Sequence, residues 1–151
     1  MLETLIASVP LRYLQLHGKE SVERVTAIRQ QTKLPLIKAM GISSADDLQQ
    51  IEAYKPHVDW FLFDAKPPKG ANRPGGNAVS FDWSILSHMD LSTPWMLAGG
   101  LTADNVRQAI SVACPTAVDA SSSLESSAGV KDVAKIRDFC HSVNHSGKPS
   151  L

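Results

Sequence analysis

Gly99 and Gly100 stand between a short apolar run, Trp95-Met96-Leu97-Ala98, and the cap-type residues Thr102, Asp104 and Asn105. The run follows Pro94 and is too short for a helix, so it reads as a strand; Val106, Ala109 and Ile110 beyond the caps have helical spacing. Glycines at such a turn let backbone N–H groups approach an anion, and the helix N-terminus adds its partial positive charge. A phosphate is the ligand that suits this arrangement, and a tight connection with no ligand is the alternative. Asp64 closes a second apolar run, Trp60-Phe61-Leu62-Phe63. A carboxyl desolvated at a strand end has a raised pKa and can hold a proton for acid catalysis, whereas in the plainer alternative it caps the following loop. His17 closes a third run, Tyr13-Leu14-Gln15-Leu16, and of the five histidines it alone falls at a strand C-terminus. A structural or substrate-orienting hydrogen bond is expected of it ahead of proton transfer. Lys38 also ends a strand, with its ammonium either near a substrate anion or paired with a carboxylate.

These residues need elements to position them, and the chain supplies five strand-then-helix units. Tyr13–Leu16 ends at His17-Gly18 and precedes a helix with Val22, Val25, Ala27 and Ile28 on its apolar side. Leu34–Ala39 ends at Met40-Gly41, and Ser43 or Ser44 caps a helix holding Leu48, Ile51 and Tyr54. Val58–Phe63 ends at Asp64; a Pro/Gly-rich loop from Lys66 to Ser80 then leads to a short helix from Phe81-Asp82-Trp83. Pro94–Ala98 and its helix form the fourth unit. Ala117–Ala120 ends at Ser121-Ser122-Ser123, and a last helix carries Val133, Ile136 and Phe139. Parallel strands need crossovers and these are helical, so the class is α/β with a parallel sheet. Leu2, Leu5, Ile6 and Val9 have helical spacing, which makes residues 1–10 the end of a preceding helix. Residues 11–142 form the domain and 143–151 a flexible tail.

Composition narrows the function. The 151 residues are 43% hydrophobic and 20% charged, which suits one compact domain. Lys plus Arg and Asp plus Glu number 15 each, so no overall field recruits nucleic acid or an anionic membrane, and an anion site must be local. No apolar run approaches the roughly 20 residues needed to cross a bilayer, and the start lacks a signal-peptide pattern, so a cytoplasmic location is expected. Cys114 and Cys140 have neither a metal spacing nor a secreted disulfide pattern and are read as reduced thiols. Histidines and acidic residues do not cluster at ligand spacing, so no metal site is expected.

At this point the motifs resemble a known family, phosphoribosylanthranilate isomerase of tryptophan biosynthesis, from Leu11 to about His141. The resemblance rests on Leu14-Gln15-Leu16-His17-Gly18, on Leu62-Phe63-Asp64-Ala65, and on Pro74-Gly75-Gly76-Asn77 before Phe81-Asp82-Trp83. Leu97-Ala98-Gly99-Gly100-Leu101 with Asn105-Val106 and Val118-Asp119 through Ser121-Ser122 to Gly129-Val130-Lys131-Asp132 complete it. That family is a (β/α)8 TIM barrel of about 200 residues, and the resemblance implies that the five units correspond to strands four to eight, with the first three units missing.

The implied reaction is an Amadori rearrangement of a phosphoribosylated aminobenzoate, an intramolecular aldose-to-ketose isomerisation that needs no cofactor. An acid opens the furanose ring and a base removes a proton from the neighbouring sugar carbon. The resemblance assigns the acid to Asp64. It places the base on a cysteine of the first strand, and neither Cys114 nor Cys140 matches it. Gly99, Gly100, Ser121, Ser122 and Ser123 are the implied phosphate-binding residues, while His17, Gly76 and Asn77 are implied to orient the substrate. Ala78 and Ser123 depart from the family's usual glycines. Ser123 either closes part of the phosphate space or donates its hydroxyl to the phosphate. Lys66, Lys69 and Arg73 lie in the loop after Asp64, where a lid or a solvated loop is expected.

The expected partner is a small sugar phosphate, with no nucleic acid and no membrane. Self-association is expected through the open edges of a five-stranded sheet. The alternative to an isomerase is a non-catalytic sugar-phosphate-binding module or remnant.

Overall fold

The computed structural model describes residues 6, 8–65, 82–87, 89 and 91–147. The expectations placed on residues 1–5 and 7, on the loop with Lys66, Lys69, Arg73, Gly76, Asn77 and Ala78, on Phe81, and on 148–151 lie outside the described residues. Ile6 and Ser8 are helical.

Strands β1 (Leu14–Leu16), β2 (Leu36–Ile42), β3 (Trp60–Ala65), β4 (Trp95–Ala98) and β5 (Ala117–Val118) form one sheet in the order β1-β2-β3-β4-β5, every pair parallel. Each connection therefore moves one strand in the same direction. Right-handed crossovers of that kind put every helix on the same face, as in a singly wound barrel wall.

The strands alternate accordingly. Leu36, Ile42, Phe61, Phe63, Trp95 and Leu97 face the helices and share one core with Val25, Ile28, Ile51, Leu86, Val106, Ile110 and Phe139. Phe63 lies with its ring centroid 5.5 Å from Phe61 and 5.3 Å from Trp95. On the other face Ala39, Leu62 and Ala98 form a separate cluster flanked by Ile37 and Met96.

Helix α1 (Val22–Thr32) is capped by the Ser21 hydroxyl, which accepts from the Arg24 N–H, and it buries Val25 and Ile28. Ala27, expected on that stripe, is exposed, because at 3.6 residues per turn it sits about 100° from Ile28 and about 200° from Val25. The expected second helix divides into a 3₁₀ segment, Ala45–Gln50, and a single turn, α2 (Ile51–Tyr54). The Asp47 carboxylate accepts from the N–H and hydroxyl of Ser43 and from the N–H of Ser44 at 2.8–3.0 Å, which tightens that first stretch.

Helix α3 (Ser84–Ser87) starts where Asp82 accepts from the Ser84 N–H. Helix α4 (Val106–Ala113) buries Val106, Ala109, Ile110 and Ala113. Helix α5 (Val133–Asn144) runs past the expected boundary at 142 and buries Phe139. Val133, expected on its apolar side, is 70% exposed; three-residue steps drift about 60° each, so it stands about 120° from Phe139. Between β5 and α5 a small hairpin, β6 (Glu125–Ser127) and β7 (Val130–Lys131), turns at Gly129 with φ +79°.

Among the described residues no helix is long and apolar enough to cross a membrane. Cys114 and Cys140 are free and exposed.

Candidate functional site

The inner face of the sheet carries its polar groups at the C-terminal ends of the strands. Leu62 faces inward, so the period of two puts Asp64 on the same side one step further along β3. In register, Asp64 stands beside Gly41 of β2 and Ala98 of β4. A cavity of about 230 Å³ opens there, lined by Asp64, His17, Gly99, Gly100 and Ser121–Ser123. The structure thus brings together every sequence-expected site residue that it describes. The expected Gly76 and Asn77 lie outside the described residues.

Two further wall residues, Gln15 and Asp119, were missed as site residues. Gln15 lies on β1 two residues before His17, and Asp119 directly follows β5, as Asp64 stands one residue before the end of β3. The signal that finds both is strand periodicity carried to the last residue rather than a motif.

The loop from β4 to α4 has its shape fixed locally. Gly99 has φ +93° and Gly100 φ +65°, the left-handed region that glycine enters without penalty. Asn105 accepts from the Thr102 N–H at 2.8 Å and donates to the Gly100 carbonyl at 3.0 Å. In the loop after β5, the 3₁₀ turn Ser122–Leu124 follows Ser121. Lys131 donates to the Ser121 carbonyl at 3.0 Å, to its hydroxyl at 3.1 Å and to Glu125 at 2.7 Å. The Lys131 ammonium, with the Gly129 N–H, holds the Glu125 carboxyl below its ordinary value. The Ser123 hydroxyl donates to the Leu101 carbonyl, tying this loop to the one before α4. A hydroxyl has one proton, and in this arrangement that of Ser123 is engaged with the Leu101 carbonyl.

The loop from β1 to α1 is held from behind the cavity. Lys38 is buried, and its ammonium donates to the Gly18 carbonyl at 2.9 Å, the Ala39 carbonyl at 3.0 Å and Glu20 at 3.0 Å. Of the two expectations for Lys38, the carboxylate pair is the one observed. Burial raises the Glu20 carboxyl, but the Lys38 ammonium and the backbone N–H groups of Glu20 and Gly18 outweigh it and hold it below its ordinary value. Tyr54 donates its hydroxyl to the Glu20 carbonyl at 2.8 Å. A larger cleft of about 550 Å³ adjoins this network, and Lys38, Glu20 and Asp47 on its wall are bonded within the chain.

A carboxyl near a strand end, a histidine on the wall of the same cavity, and glycine- and serine-rich turns facing that space suit an anionic, oxygen-rich small molecule. The family described as N-(5′-phosphoribosyl)anthranilate (PRA) isomerase matches residues 1–142. That match takes in residues 1–10, which the motifs had left outside the domain. The N-(5′-phosphoribosyl)anthranilate isomerase of Paramagnetospirillum magneticum is 54% identical over 138 residues, 91% of this chain and 64% of that protein. The enzyme of the same name from Rhodospirillum rubrum is 49% identical over 142 residues, 94% and 65% respectively. The chain thus spans just under two thirds of the length of these relatives. Among solved structures, phosphoribosyl anthranilate isomerase from Thermotoga maritima superposes with a TM-score of 0.79 at 36% identity, covering 94% of this chain and 66% of that one. A second structure of such an isomerase, in complex with reduced 1-(o-carboxyphenylamino)-1-deoxyribulose 5-phosphate, gives 0.76 at 33% identity, covering 94% and 64%.

Proposed function

We propose, for a chain that belongs to the N-(5′-phosphoribosyl)anthranilate isomerase family, that its cavity binds phosphoribosylanthranilate and takes part in the rearrangement to the carboxyphenylamino-deoxyribulose phosphate. The observation that carries this reading is the convergence of Asp64 with the Gly99-Gly100 and Ser121–Ser123 turns on one cavity at the strand C-termini.

In the proposed reaction Asp64 donates a proton to the furanose ring oxygen. The bond from that oxygen to the first sugar carbon breaks as the amine lone pair forms a C=N bond. A base then removes the proton from the second sugar carbon, giving an enolamine that ketonises. The two turns hold the phosphate through backbone N–H groups, which restricts the sugar to one orientation as its ring opens. Neither Cys114 nor Cys140 lines the cavity, so the base is assigned to neither. β1–β5 are proposed to correspond to strands four to eight of a (β/α)8 barrel, with the base on its first strand.

The test is calorimetry with the reduced deoxyribulose phosphate analogue, together with turnover measured with and without a chain supplying the first three units. The expected result is binding by this chain, turnover with the complement, and loss of at least about 100-fold in kcat for Asp64→Asn, the usual scale for removing a general acid. Binding without turnover in the complemented pair supports a non-catalytic sugar-phosphate module instead. Absence of binding removes both.

A further inference from the structure

We propose that Gln15 sets the tautomer of His17, making the imidazole a fixed Nε2–H donor at the cavity wall. The two side chains leave β1 and its end on the same inner side, separated by buried Leu16, and both line the cavity with Asp64 and Asp119. The amide Nε2 of Gln15 lies 3.2 Å from Nδ1 of His17. An amide NH2 only donates, so Nδ1 must present its lone pair, and a neutral ring then carries its proton on Nε2.

The backbone beneath the ring is equally constrained. The Gly18 N–H donates to Glu20 at 2.9 Å, and Lys38 holds both the Gly18 carbonyl and the Glu20 carboxylate. A Cβ on Gly18 would come within 2.6 Å of the Glu20 carboxylate oxygen, so the fold-back of Glu20 depends on glycine there.

The inference deepens the function proposed above, on which its ligand arm rests. An Nε2–H on the wall of this cavity complements a substrate oxygen that only accepts, such as the carbonyl oxygen formed once a sugar ring has opened. Gln15 acts through His17 and is a positioning residue.

The test is long-range proton–nitrogen NMR of the imidazoles at pH 8, where imidazoles are neutral. The expected result is Nε2–H for His17 in the wild type, a shift to Nδ1–H in Gln15→Glu, whose carboxylate only accepts, and the mixture of an unconstrained histidine in Gln15→Leu. Nδ1–H in the wild type, or the same tautomer in Gln15→Glu as in the wild type, overturns the assignment without reference to any ligand.

The reduced deoxyribulose phosphate analogue is then added. A displaced His17 Nε2–H resonance, and affinity about tenfold weaker in Gln15→Glu, support the donor role. Binding that leaves the resonance in place overturns it. No binding to the wild type overturns the proposed substrate, and the tautomer spectra alone then decide the role of Gln15.

Discussion

At the residue scale, the loop after β4 that faces Asp64 depends on glycine for a different reason from the loop after His17. Gly100 has open space where a Cβ would stand, so only its φ of +65° resists a side chain. Gly18 has its conformational constraint replaced by a contact, the Glu20 carboxylate. Gly100→Ala is therefore expected to lower stability by about 1–2 kcal/mol, the cost of a left-handed L-residue, and to weaken inorganic phosphate binding. Urea denaturation and phosphate titration check both, and an unchanged midpoint with unchanged affinity counts against the turn as an anion cradle. Much of the site was legible from residue type and position. Asp64, His17 and Gly99-Gly100 each follow an apolar run, and the end of a parallel strand fixes where its next side chains go. Gln15 and Asp119 escaped because a polar residue within or just after a short apolar run reads as turn chemistry unless the strand's alternation is followed to its last residue. The partner of the Ser123 hydroxyl was not legible at all, since Leu101 is 22 residues away in sequence and reached only through the fold.

At the element scale, α1 is anchored to the N-terminal ends of β2 and β3 by one carboxylate. Asp59 accepts from both guanidinium nitrogens of Arg29, at 2.7 and 3.0 Å, and from the Leu36 N–H at 2.8 Å. The Arg29 guanidinium, with the Leu36 N–H, outweighs burial and holds the Asp59 carboxyl below its ordinary value. Because the folded value lies below the unfolded one, about 3.9, the unfolded chain binds the extra proton. The stabilisation is therefore complete above about pH 5 and is lost as pH falls through the folded value. Both side chains are more than a third open to solvent on average, 41% and 35%, so screening keeps the effect small. Asp59→Asn, which can still accept from Leu36, is expected to cost about 1 kcal/mol at pH 7. The gap from wild type should narrow in parallel denaturation curves as the pH falls below about 3.9, the unfolded value, and a gap independent of pH would show that the ion pair contributes nothing. Such pairs were not readable from sequence, and neither were the 3₁₀ start before α2 nor the β6–β7 hairpin. Local hydrogen bonds from Asp47 and a turn at Gly129 decide these, against apolar spacing that suggested a longer helix and no strand. The parallel strands were readable because their apolar runs are bounded by turn residues.

At the scale of the whole molecule, the sheet raises the question of what its free sides meet. Among the described residues β1 pairs only with β2 and β5 only with β4, so each presents an outer row of backbone N–H and C=O groups. Parallel sheets are normally covered on both faces, yet among the described residues helices α1–α5 all pack on one. Among the described residues the buried apolar cluster of the inner face is the small one of Ala39, Leu62 and Ala98, with Ile37 and Met96 half-buried beside it. Tyr13 next to the β1 edge is 48% exposed. A barrel removes such edges by closing on itself, and strands that do not close tend to pair with another chain. Self-association of the 151-residue chain at micromolar concentration is therefore expected, and it should diminish when a chain able to supply the first three barrel units is added. Sedimentation velocity distinguishes the cases. A stable monomer across the micromolar range would mean that curvature alone protects the edges. Association that persists unchanged with the complement would mean that it runs through the helical face, leaving the proposed correspondence with strands four to eight without support from assembly.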